Sequence, residues 1–381
     1  MTGNTSASVK WILFGIIAGL SILPPIQKAF RPFHSRPLDG YSEPNPYPQF
    51  AFSTLFDGTY LPLLSAHYDH SIGFHNELVR LHNQVDFSLF CFPNAKNVVV
   101  GKDGYLFEEQ YIKASTGADF IGEKIVTARV RQFSVTQEWL KREKGILFMV
   151  LLLPDKGTYY PEYIPGRFGN TGVEKTNYKW YRRKLAEQHI NFIDFNEWFR
   201  TLKDTCRYPL YPKTGIHWSS YGAYLAMDSL VRYLETAAGN KLPHPVITRN
   251  TASTCPKDRD DDVARAMNLV CNISSPPLTY PEITYSQPEE PHPFSVLFIG
   301  DSFYFSWARA GYIGQIFGNR DFWYYDHDVY YGNYQTGRLA ANEDMKQMLS
   351  KQDAIIILQT NAGYGELGYY FVDRLFEKAG S

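Results

Sequence analysis

A chain of 381 residues with a formal net charge of −1 has no field strong enough to gather nucleic acid or an anionic membrane surface, which argues against nucleic acid as a partner. The length fits one elaborated α/β domain with an N-terminal extension. Aromatic residues make up 16% of the chain, with 28 Tyr and 7 Trp, and such flat faces with polar edges serve carbohydrate recognition as well as core packing.

The run Trp11–Leu23 is apolar, preceded by Lys10 and followed by Pro24, Pro25, Ile26, Gln27 and Lys28. A bilayer core asks for about 20 residues and a signal-peptide core for about 7–15, so length alone favours a removable signal. No small-x-small cleavage site follows, and Ile26 with the snorkelling ends of Lys10 and Lys28 extends the apolar span, so we read residues 11–28 as an anchor. Residues 1–10 form a short tail before it, and 29–94 a linker and N-terminal extension. Pro32, Pro37, Pro44, Pro46 and Pro48 give the stretch 32–50 an extended character.

Spacing predicts a helix over about 74–89. The main domain, 95–381, opens with Val98–Val100, Gly101-Lys102-Asp103-Gly104 and Tyr105–Phe107, which reads as strand, Asp-Gly turn, strand. Helices are predicted over about 122–143, 175–189 and 220–237. Between them lie three apolar runs suited to parallel strands buried on both faces: 145–153 ended by Pro154, 295–299 before Gly300, and 354–358 before Gln359. Strands alternating with helices predict a layered α/β sheet, with ligands outside its carboxyl edge. Residues from about 240 to 292 break the alternation and read as an irregular insertion.

The four cysteines, Cys91, Cys206, Cys255 and Cys271, show no metal-finger spacing, and neither a metal nor a cofactor is expected. Cys255 and Cys271 flank an irregular acidic segment, where a loop-closing disulfide is expected. His327 stands between Asp326 and Asp328, too small a cluster to assign a metal.

Two segments carry chemistry. Gly300-Asp301-Ser302-Phe303 places a serine directly after a buried strand, where a glycine permits a sharp turn and exposes the hydroxyl. A helix N-cap is the structural alternative for Ser302. A serine hydroxyl is weak until a base takes its proton. Such a base is offered by His217, in the loop Tyr211-Pro-Lys-Thr-Gly-Ile-His217-Trp218 just before a predicted helix.

These two motifs, together with Gly-Lys-Asp-Gly-Tyr-Leu-Phe at 101–107 and Leu-Pro-Asp-Lys-Gly-Thr-Tyr-Tyr-Pro-Glu-Tyr at 153–163, resemble the alginate O-acetyltransferase AlgX/AlgJ-like family. The resemblance spans roughly residues 95–375. It implies an SGNH-hydrolase-like three-layer α/β/α sandwich with a mostly parallel sheet, here preceded by a transmembrane anchor. Ser302 would accept an acetyl group, His217 would activate it, and a hydroxyl of a polysaccharide acceptor would attack the acyl-enzyme. By the same resemblance, acetyl groups would come from a membrane-bound O-acyltransferase, with the chain single-pass in the inner membrane and its main domain in the periplasm.

In one position the sequence departs from the family. The motif around the histidine usually carries an aspartate two residues earlier, where this chain has Gly215. An imidazole without an orienting acid loses several powers of ten in rate, so another carboxylate is needed. Asp155 and Asp261 are the candidates, with the rest of the Asp260-Asp261-Asp262 run and Asp326 or Asp328 behind them. Backbone N–H groups near Ser302 and the side chain of Asn361 are expected to stabilise an oxyanion. Tyr304 and Arg309 are candidates for holding sugar hydroxyls. Two other functions share these residues: a carbohydrate esterase using Ser302 and His217, and a non-catalytic glycan-binding or scaffold protein in which Gly215 marks lost activity.

Overall fold

A computed structural model describes residues 3–40, 45–290 and 292–380. The chain divides into two compact units, one of residues 1–95 with 264–272 and the other of residues 96–263 with 273–381.

In the first unit a helix runs over Gly3–Phe30, through Pro24 and Pro25. Its portion Ser8–Phe30 has a mean hydropathy of 1.8 and contains an 18-residue window with no buried residue, so it is long and apolar enough to fit a single-pass anchor. The described part of the linker, 32–40 and 45–50, contains no helix or strand; Pro44 lies outside the described residues, as do Met1 and Thr2 of the N-terminal tail. Three helices follow, Phe52–Phe56, Tyr60–Ser71 and His75–Phe90. Within this unit Asn83 Nδ2 donates to the Met267 carbonyl at 2.9 Å.

The second unit is built on strands named in chain order β1 (Val98–Val100), β2 (Leu106–Glu108), β3 (Leu147–Leu153), β4 (Phe192–Asp194), β5 (His244–Ser253), β6 (Leu278–Ser286), β7 (Val296–Gly300), β8 (Asp321–Tyr324), β9 (Asp328–Tyr331), β10 (Tyr334–Leu339) and β11 (Ala354–Thr360). Strands β1 and β2 pair antiparallel across a turn in which Asp103 and Gly104 take φ of 53° and 72°. The main sheet has the order β10-β9-β8-β7-β11-β3-β4, parallel from β8 to β4 and antiparallel at β9 and β10.

Period-two alternation divides the buried side chains of the central strands between two layers. Met149, Leu151, Val296, Phe298 and Ile356 face the helices Phe195–Leu202, Ser220–Ala238 and Tyr304–Arg309. Phe148, Val150, Leu297, Ile299 and Ile357 face Glu123–Lys144, Asn177–Glu187 and Tyr369–Gly380. Helices therefore cover both sides of the sheet, which is the three-layer α/β/α arrangement, and its parallel carboxyl edge is left to build a site.

The insertion at 240–292 is not irregular. Strands β5 and β6 form a long antiparallel ribbon, with Asn250 opposite Pro281 and a register shift between Ile247 and Arg249. Its Pro, Asp and Cys content made this segment read as loop, yet a two-stranded ribbon has only edges, where a residue lacking an N–H, such as Pro281, is tolerated. No disulfide closes the acidic segment: all four cysteines are free thiols, with Cys255 in the second unit and Cys271 in the first.

Candidate active site

Ser302 follows β7, and the glycine before it is required by packing rather than by an unusual backbone. A Cβ on Gly300 would fall on the main-chain carbonyl of Leu358, its partner on β11. Asp301 fixes the turn: its Oδ1 accepts from Phe303 N at 3.1 Å, and its Oδ2 accepts from Thr360 N and Oγ1 at 2.7 and 2.8 Å. Burial raises the Asp301 pKa, against the lowering effect of those hydrogen bonds. Ser302 itself is partly exposed.

His217 arrives from the loop before the helix Ser220–Ala238, which Ser219 caps by accepting from Gly222 N at 3.1 Å. Two buried interactions hold that loop. Lys156 Nζ donates to the carbonyls of Lys213 and Gly215 at 2.6 and 2.8 Å. Trp218 packs against Phe303 and Trp307, with ring centroids 5.3 and 5.2 Å away. Burial lowers the Lys156 ammonium well below the usual lysine range.

The imidazole lies between a hydroxyl and a carboxylate. His217 Nε2 is 2.9 Å from Ser302 Oγ, and Nδ1 is 2.7 Å from Asp262 Oδ2. The other oxygen of Asp262 accepts from the main-chain N–H of Ile216 at 2.9 Å and of Val263 at 2.8 Å. Burial pushes the Asp262 pKa up, but the His217 ring and these N–H donors outweigh it and hold the carboxyl below the usual range. His217 and Asp262 keep 17% and 20% side-chain exposure, so the pair borders solvent.

The carboxylate at Nδ1 is therefore Asp262, not Asp155 or its own neighbour Asp261. Asp155 is fully buried and caps the short helix Lys156–Tyr159, accepting from Thr158 N at 2.7 Å. Burial pushes its pKa up to about 7. Asp326 pairs with Arg374 at 2.6 Å. No local signal singled out Asp262 within three consecutive aspartates 45 residues from the histidine. Gly215, however, does carry a hint: a Cβ there would lie 2.5 Å from the Asp260 carbonyl oxygen, so the missing side chain leaves room for the segment that delivers Asp262.

Of the remaining candidates, Asn361 and Tyr304 are placed differently from expectation. The Asn361 amide nitrogen donates to Thr158 Oγ1 at 2.7 Å and to Asn196 Oδ1 at 3.4 Å, so both of its N–H groups have partners on the protein. Tyr304 is a core residue with no exposure, stacked on Phe322 at 3.9 Å, and cannot meet a sugar. Arg309 is exposed, as a binding residue must be, at the wall of a cavity beside Trp218.

The profile of the family described as "SGNH hydrolase-like domain, acetyltransferase AlgX" matches residues 98–313, more than half the chain and a span that includes Ser302, His217 and Asp262. The chain belongs to this family. It is 26% identical over 173 residues to the probable alginate O-acetylase AlgJ of Pseudomonas aeruginosa, a match covering 45% of this chain and 42% of that protein. The chain thus spans less than half the length of that relative. Among solved structures it is similar to the O-acetyltransferase domain of Pseudomonas putida AlgJ (13% identity, TM-score 0.47, covering 74% of this chain and 99% of that one). A second similar structure is Bacillus cereus PatB1 (11% identity, TM-score 0.46, covering 70% and 96%).

Proposed function

We propose that this AlgX-family protein is an O-acetyltransferase that passes an acetyl group through Ser302 to a hydroxyl of an exported or cell-envelope polysaccharide. The observation that carries the reading is the continuous hydrogen-bonded order Ser302 Oγ, His217 Nε2, His217 Nδ1, Asp262 Oδ2. His217 would take the hydroxyl proton as Ser302 Oγ forms its bond to the acetyl carbonyl carbon, then deliver that proton to the leaving group as the acyl-oxygen bond breaks. In the second half the acceptor hydroxyl, deprotonated by His217, attacks the acyl-enzyme and Ser302 Oγ departs with the proton. Asp262 would keep Nδ1 protonated and stabilise the imidazolium in both halves.

Oxyanion charge needs donors near Ser302. The N–H groups of Phe303 and Tyr304 already point to Asp301, which leaves the Ser302 N–H as the nearest main-chain donor. Asp262 at His217 Nδ1 supports reading Gly215 as a position whose orienting acid is supplied from elsewhere in the chain. The apolar helix supports placing the domain beside a membrane, and we place it on the periplasmic face with a membrane-bound acyltransferase as the source of acetyl groups.

The test is acetyl transfer by the full-length chain from p-nitrophenyl acetate, with and without a polysaccharide acceptor, against Ser302→Ala. Acceptor-dependent O-acetyl product that disappears in Ser302→Ala is the expected result. Serine-dependent hydrolysis with no acceptor product would establish an esterase instead, and no serine-dependent turnover would overturn both readings.

A further inference from the structure

Trp218 adjoins His217, and Asp260 lies two residues before Asp262, yet neither takes part in the proton relay. Both line a cavity of about 360 Å³ walled by the β5–β6 ribbon, the 258–260 loop and the helices Tyr304–Arg309 and Tyr312–Ile316. That volume is at the lower end of the ~300–1,000 Å³ of small-molecule sites, enough for a single sugar ring with its substituents.

The wall contains polar atoms whose partners the protein does not supply. Trp218 Nε1 and Asp260 Oδ2 are buried without a hydrogen-bond partner, on side chains only 1% and 4% exposed, and the Asp260 carboxyl has Tyr280 as its side-chain partner. A buried donor or acceptor left unpaired costs about 1–3 kcal/mol, and native structures tolerate few. Here one donor and one acceptor of this kind belong to the same cavity wall. Burial pushes the Asp260 carboxyl up to about 7.

The chemistry of the wall selects the ligand. An indole N–H, a carboxyl oxygen and the Arg309 guanidinium satisfy hydroxyl groups, each of which both donates and accepts. Tyr280 and Tyr285 add ring faces suited to the C–H surface of a pyranose. Two carboxyl groups, Asp258 and Asp260, stand against the single arginine, so the wall offers no excess positive charge to a uronate. We propose that this cavity is a second site, distinct from Ser302, that binds one neutral hexopyranose unit of a glycan. The site stands independently of acetyl transfer; joined to it, the bound ring anchors the acceptor chain behind Trp218.

Binding is measured on the full-length chain in a phosphocholine detergent, which carries no sugar headgroup to compete. The probes are mannotetraose and cellotetraose as neutral chains and tetramannuronate as the anionic one, followed by saturation-transfer NMR and calorimetry. At least one neutral probe binds, about tenfold tighter than the uronate, and binding weakens about tenfold in Asp260→Asn and in Arg309→Ala, the change expected from one lost hydrogen bond. Arg309 is exposed, so this variant decides the matter if Asp260→Asn does not fold. Absence of neutral-sugar binding, preference for the uronate, or binding indifferent to Arg309→Ala would each overturn the site. Failure of the acetyl-transfer reading looks different: ester turnover becomes insensitive to Ser302→Ala while sugar binding persists.

Discussion

The main-chain carbonyl of Asp260 fills the space beside Gly215: a Cβ on residue 215 would lie 2.5 Å from that oxygen and 2.8 Å from its carbon. Contact this close lets the 260–262 segment run against the histidine loop, where Thr214 Oγ1 donates to the same carbonyl at 3.3 Å. Asp262 then meets His217 from a different part of the chain than residue 215 would. Asp262→Asn should keep the hydrogen-bond geometry but favour the wrong imidazole tautomer, and kcat for ester turnover should fall by roughly 10⁴-fold. Asp261→Asn, one residue away, should lose far less; the pair of variants, both checked for unchanged circular dichroism, separates an orienting role from general acidity of the loop.

Restoring a side chain at 215 should harm the protein rather than repair it. Gly215→Ala forces its Cβ against backbone, which cannot move as a flexible side chain can, and overpacking of this kind costs about 1–3 kcal/mol. The displaced segment carries Asp262, so kcat should fall together with the thermal midpoint. In Gly215→Asp combined with Asp262→Ala, turnover should remain as low as in Asp262→Ala alone. Recovery of activity in that double variant would show that the two positions are interchangeable.

Lys156 provides a separate check on how the histidine loop is held. Its ammonium donates to two loop carbonyls, and Lys156→Met leaves both without that partner in a fully buried setting. A buried carbonyl left without its partner costs about 1–3 kcal/mol, so a loss of stability in that range is expected in denaturant unfolding. Turnover measured well below the unfolding midpoint should also drop, because Gly215, whose carbonyl Lys156 holds, is only two residues from His217.

Ser302 and His217 were legible because each is set by local sequence: a glycine, an acid and a serine after an all-apolar run, and a histidine just before a capped helix. The three central strands were legible for the same reason, since burial on both faces writes an unbroken apolar run. What escaped depends on partners distant in sequence. Asp262 resembles its two neighbours until the chain folds, and Tyr304 looked available because nothing local shows that Phe322 stacks upon it. The β5–β6 ribbon was obscured by the Pro, Asp and Cys content of that segment, and its hydrophobic alternation is weak because most of β5 is exposed.

Stability should fall as the medium passes from mildly acid to neutral. Asp155 and Asp260 both have pKa values raised to about 7 in the folded protein, against about 3.9 in an unfolded chain. Between those limits the native state binds more protons than the unfolded one, so each group destabilises the fold progressively as pH rises from ~4 to ~7. Asp262 acts oppositely: its lowered pKa gives stability that is present above the unfolded value and lost only as pH falls through the folded one. Asp155→Asn retains an oxygen to cap Thr158 N and removes one titration. Its thermal midpoint should change less between pH 5 and pH 8 than that of the wild type; an identical pH slope would mean that Asp155 is ionised throughout.

Asn361 should prove to be a structural residue. Asn196 Nδ2 donates to its carbonyl oxygen at 2.6 Å while its own nitrogen donates to Thr158, so the side chain ties the end of β11 to the segment after β3 and to the helix Phe195–Leu202. Loss of an oxyanion donor lowers kcat by about 10²–10³-fold, whereas loss of a buried bridging amide costs about 1–3 kcal/mol of stability. Asn361→Ala is therefore expected to lower the unfolding free energy within that range and to leave kcat within a few fold of wild type at low temperature. A drop in kcat of two orders of magnitude with the fold intact would instead make Asn361 a donor to the reacting oxygen. In that case its bond to Thr158 must break as substrate binds.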